Sequence, residues 1–178
     1  PPRSTLFPYT TLFRSLWMVS AQSIGSVWLD FILLVPILYF SWLAAQRLDQ
    51  TGAYDGTGRS ILYGLTVGLL AGWLSVAVSI SVPDVGRALL DRGTSDNVWQ
   101  SLWMTLIPAV ALAYVFANHI SRSGWYFAAL GWGLTGVIVN NWDRLGTHWL
   151  AIVAAFVGFN ILYRRMRFGA RGSYPAKP

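Results

Sequence analysis

The chain has 178 residues, of which 54% are hydrophobic and only 11% charged, with a mean hydropathy of +0.47. An ordinary globular chain carries about 25% charged residues, so a soluble domain with a wet face on every helix is excluded. The net charge of +6 gathers largely in one tail, which is no nucleic-acid footprint, and the lack of Cys and Glu removes thiol chemistry, disulfides and most acids.

The charged residues fall in short clusters between five apolar stretches: Val27–Gln46, Ser60–Val82, Val98–Asn118, Ser123–Asn140 and His148–Tyr163. At about 1.5 Å of rise per residue, about 20 residues cross a hydrocarbon core of about 30 Å. The expected fold is an all-α integral membrane helical bundle over 16–166, with five transmembrane helices and the stub of a lost one.

In chain order, Thr5–Ser15 reads TLFPYTTLFRS, the conceptual translation of a short-read sequencing adapter. On that reading 1–15 are not native, and the protein is cut short before Leu16. Leu16–Ser20 is apolar but too short to cross, which makes it the stub. The first stretch holds Asp30 in its opening turn, where an acid favours the helix dipole, with Arg87 or Arg144 as expected partner. Pro36 lies inside this stretch, and Pro108 inside the third. Each removes a backbone hydrogen bond and is expected to kink its helix. The connector Asp49–Gly58 reads as a flexible turn. The second stretch carries Gly64, Gly68 and Gly72, two GxxxG steps that line one face and invite close helix packing. Pro83–Asn97 reads as a long loop, with Val85–Leu90 forming a short amphipathic turn. The fourth stretch adds Gly131, Gly133 and Gly136. After the fifth, the tail at 167–178 continues a basic run of Arg164, Arg165, Arg167, Arg171 and Lys177.

That run marks a cytoplasmic end. Counting back, the inner segments hold Arg47, Arg59, Arg122 and the five tail cations, against Arg87, Arg92 and Arg144 outside. The bias obeys the positive-inside rule and places the C-terminus in the cytoplasm. Trp28, Trp42, Trp99, Trp103, Trp125, Trp142 and Trp149 lie near span ends and read as a headgroup belt. Trp73 and Trp132 lie near mid-span, as core filler or as pocket walls. The second reading makes both candidate ligand contacts.

Catalytic patterns are missing. His119 and His148 fall at opposite ends of the layout and cannot share a metal. There is no GxSxG, P-loop or HExxH. Val157, Tyr163 and Arg165 fit a loose sterol-contact spacing, but an aromatic and an Arg are expected at that border anyway. The chain is read as no enzyme, with no metal.

The segment Leu65–Ile80, LTVGLLAGWLSVAVSI, resembles the last common helix of the TspO/MBR family, the tryptophan-rich sensory or translocator proteins. That helix has a Trp followed four residues on by Ala, here Trp73 and Ala77. It commonly closes in Leu-Asn, where this chain has Ser79 and Ile80. Leu16–Trp17 and the first stretch resemble the end of the family's third helix and its fourth. The family's Asn three residues before that Trp is replaced by Arg14. Trp132–Asn141, WGLTGVIVNN, is similar to the extra helices of long bacterial members. The resemblance implies a bundle that binds an apolar, tetrapyrrole-like small molecule, a porphyrin-type ligand above all, through Trp73, Ala77 and Trp17. The expected partners are the bilayer, that ligand and a second copy of the chain, with no nucleic acid. The competing readings are a secondary transporter fragment and a non-catalytic subunit packing through the Gly64/Gly68/Gly72 face.

Overall fold

The computed structural model describes residues 15–20, 22–51, 58–89, 98–121, 123–143 and 146–168. The adapter-like start, residues 52–57 of the expected turn, residues 90–97 of the expected loop, Arg122, Arg144 and the tail from 169 lie outside the described residues. Five long helices follow a short helical stretch at 15–20. Helix α1 is Val27–Gln50. Helix α2 runs as Arg59–Tyr63, a π-helical turn Gly64–Gly68, and Leu69–Leu89. Helix α3 is Val98–Val115 followed by a π-helical turn Phe116–Ile120. Helices α4 and α5 are Gly124–Asn140 and Thr147–Phe168. Among the described residues there is no strand.

The protein is an all-α integral membrane bundle. Val27–Gln50, Ile61–Leu89 and Trp99–Ile120 are each long and apolar enough to cross a membrane. In lipid every backbone group needs an internal partner, and the two π turns meet that demand with side chains. A π turn shifts the ladder by one residue and frees carbonyls. Thr66 Oγ1 donates to the Leu62 carbonyl at 2.8 Å, and Asn118 Nδ2 donates to the Tyr114 carbonyl at 2.7 Å.

Helix α2 is the hub, packed against α1, α3 and α4. Its glycine face is filled by α4. A Cβ on Gly68 would come within 2.9 Å of Trp125 Cβ, and one on Gly72 within 2.8 Å of Ala129 Cβ. Further along, Val76 fills the space over Gly133, 2.7 Å from where a Cβ would stand. The paired positions rise together, so α2 and α4 are parallel. Helices α3 and α5 are parallel too. Trp99 covers Gly146 at their beginnings, and Arg164 stands 5.9 Å over the Tyr114 ring near their ends. Gly146 has φ +85° and the Trp99 ring 2.8 Å from a would-be Cβ. Only glycine meets both demands without strain.

Two sequence expectations change. The Pro83–Asn97 stretch is not all loop, because α2 continues through a buried Pro83 to Leu89 and absorbs most of the expected turn at Val85–Leu90. One missing N–H removes a single bond, and the end of α2 is anchored elsewhere. Arg87 pairs with Asp84 at 2.8 Å one turn back and donates to Ser101 on α3. That engagement also removes Arg87 as the partner of Asp30. The Asp30 carboxylate accepts instead from the buried Ser20 hydroxyl at 2.7 Å.

Candidate ligand-binding site

The residues that carry an apolar site come from the 15–20 stretch, α1 and α2. Leu34, Ile37 and Leu38 recur at the 3–4 spacing of one helix face on α1, and Leu74 and Val78 do so on α2. Together these five form a buried cluster. Trp17 and Ala77 both pack against it, so two of the four expected ligand residues share one surface. Trp17 is held there by its own segment. Ser20 donates to Asp30 at the head of α1 at 2.7 Å.

Trp73 and Trp132 are placed differently. They are 53% and 76% exposed, on the outward sides of α2 and α4. Neither is core filler. Trp73 remains one turn from Ala77 on the same helix, but it is not among the residues packed on the cluster that holds Trp17. Of the glycines expected in packing, Gly64, Gly68 and Gly72 are all buried, and α4 lies across the last two. The face a partner subunit would have needed is occupied within the chain.

A second feature was not anticipated. Tyr126 at the start of α4 is fully buried and stacks on Phe116, with ring centroids 3.7 Å apart and planes 7° from parallel. Its hydroxyl donates to Ser75 Oγ on α2 at 3.0 Å, and Ser75 in turn donates to the Ala71 carbonyl at 2.9 Å. Ser79 repeats that back-bond one turn on, donating to the Ser75 carbonyl at 2.7 Å. The hydroxyls of Tyr126, Ser75 and Ser79 are thus spent inside the fold, as burial in hydrocarbon requires. The sequence did carry a trace of this seam, because Gly68, Gly72, Ser75 and Ser79 fall on one small-residue face of α2.

Trp42 completes the picture and corrects an expectation. Its place near a span end predicts a headgroup-belt residue. The structure turns it inward, edge-on to Phe116 at 5.8 Å. It packs against both the cluster of Leu34, Ile37 and Leu38 and the cluster that contains Phe116 and Tyr126. The reason is its register, four residues after buried Leu38 and three before buried Ala45. Its Nε1 is buried and has no hydrogen-bond partner among the described residues; the same holds for Ser123 Oγ and Thr147 Oγ1. Trp28, Trp99, Trp125, Trp142 and Trp149 are exposed near helix ends, as belt residues should be.

Chemically the region offers apolar and aromatic walls with few polar groups, the usual make-up of a site for an apolar small molecule. A family model described as TSPO-like protein matches residues 2–163, a range that takes in the adapter-like TLFPYTTLFRS stretch. No curated protein and no solved structure matches the chain.

Proposed function

The chain belongs to the TSPO-like protein family, and on that footing we propose that it is a membrane-embedded, tryptophan-rich sensor or translocator. Its ligand is an apolar, tetrapyrrole-like small molecule, bound without chemical conversion. The observation that carries the siting is the convergence of Trp17 and Ala77 on one apolar cluster between α1 and α2. Trp73 extends that wall toward the lipid, so a hydrophobic ligand enters sideways from the bilayer. Trp132 offers a second, more exposed ring on α4. Planar rings stack on indoles with a gain of about 1 kcal/mol per pair, and a dry apolar setting suits such a ligand. The proposed setting is a bacterial inner membrane with five spans and a cytoplasmic C-terminus.

The test is a titration of the detergent-solubilised protein with protoporphyrin, read at the Soret band. Saturable binding is expected. Ala77→Leu, which fills the cluster's edge, should weaken it about tenfold, or about 1.4 kcal/mol. Trp17→Phe should weaken it less, since an aromatic ring remains. Failure of the unaltered protein to bind any porphyrin would sink the ligand class. Unchanged binding in both variants would move the site away from this cluster.

A further inference from the structure

We propose that the C-terminal end of α5 holds an anionic phospholipid, with Arg164 on its phosphate and Asn160 on an ester carbonyl. This site is separate from the ring-compound site above and does not depend on it. The Arg164 side chain is half-buried and stands 5.9 Å over the Tyr114 ring of α3. A cation over a ring face keeps its N–H donors free for another acceptor. No carboxylate among the described residues pairs with it. A cation held in this way between two helices, at the border of the membrane, matches the basic pockets that take acidic headgroups.

Asn160 indicates how the rest of the lipid lies. It is exposed on α5, one turn before Arg164 and about 6 Å further in along the helix. Asn118 and Asn141 each donate to the carbonyl four residues back, at 2.7 and 2.8 Å. Asn160 makes no such bond and has no partner among the described residues. An amide left bare in hydrocarbon is costly, and the ester carbonyls of a phospholipid offer acceptors just below its phosphate. Phe156 lies exposed one further turn in, with Phe159 near it, stacked on Tyr163 at 6.2 Å. Residues four apart share a helix face. The order Arg164, Asn160, Phe156 along that face is therefore the order phosphate, ester, acyl chain. The unpaired guanidinium selects an anionic headgroup, because a zwitterionic one brings its own cation.

The test titrates the detergent-solubilised full chain with phosphatidylglycerol or phosphatidylcholine of identical acyl chains, and native mass spectrometry reads the bound lipid. The unaltered protein should bind phosphatidylglycerol about fivefold more tightly, the effect of one cation at an anionic surface. Arg164→Gln should erase that preference. Arg165→Gln, which removes the same charge one residue on, should keep most of it. Asn160→Leu should weaken both lipids about threefold, since both carry ester carbonyls. Equal affinity for the two lipids in the unaltered protein, or retention of neither, would overturn the site, and that comparison needs no variant. Equal losses in Arg164→Gln and Arg165→Gln would mean diffuse attraction to the basic tail and would overturn it too. Unchanged binding in Asn160→Leu would remove the ester contact, and displacement of the lipid by inorganic phosphate alone would show a site for free anions instead.

Discussion

Tyr126 has its ring held by one helix and its oxygen by another. Phe116 of α3 stacks on the ring and Ser75 of α2 accepts from the hydroxyl. Tyr126→Phe removes only the hydroxyl, and Ser75 keeps its own bond to the Ala71 carbonyl. The expected loss is about 0.6 kcal/mol, the typical value for a hydrogen bond between membrane helices. Tyr126→Ala also removes the stacked ring and should cost about 3–5 kcal/mol. Reversible unfolding in mixed detergent–SDS micelles measures both. Equal losses in the two variants would mean that the hydroxyl, not the ring, holds the seam. At this scale the sequence was only partly readable. Trp42 lies near a span end, as a belt residue does, but the helical period points its ring inward. The family pattern brought Trp17 and Ala77 near each other, and the structure packs both on one cluster, whereas Tyr126 belongs to no motif.

Among the elements, α2 and α4 show most directly how composition sets geometry. The GxxxG face brings two backbones close enough that a methyl group on Gly72 would meet the Tyr126 carbonyl oxygen. Backbone cannot swing aside as a side chain can, so Gly72→Ala should cost about 1–3 kcal/mol through overpacking. Gly131→Ala on the outward side of α4 meets nothing within 4 Å. It should be neutral or slightly stabilising, since alanine is the better helix former by about 1 kcal/mol. The two variants, compared by the same micelle unfolding, separate packing from propensity; matching losses would contradict the close approach. The spacing of Gly64, Gly68 and Gly72 made a packing face legible, but it could not say whether the occupant was a partner or the chain itself. Nor could it show that α2 runs past Pro83. A proline removes one N–H, and nothing local reveals that Arg87 will hold the following turn to Ser101.

For the molecule as a whole, the contacts fix directions that the sequence could only infer from charge. Helices α2 and α4 run one way, and α3 and α5 the other. Trp42, in the second half of α1, meets Phe116 near the end of α3, and Phe116 stacks on Tyr126 near the start of α4. The C-terminal end of α1 therefore shares a side with the start of α4. The end of α4, with Asp143 just beyond it, lies on the other side. The packing thus puts Gln50 and Asp143 on opposite sides of the bundle, and the positive-inside bias of Arg47 and the tail predicts Gln50 in the cytoplasm and Asp143 outside. The chain has no cysteine, so a single introduced thiol reports its own location without background. Gln50→Cys and Asp143→Cys are both at exposed positions. In sealed inside-out vesicles a membrane-impermeant maleimide should label Gln50→Cys at once and Asp143→Cys only after detergent is added. Right-side-out vesicles should reverse the order. Labelling of both positions from one side would break the alternation of helices across the bilayer, and a reversed pattern would keep the bundle while inverting its orientation.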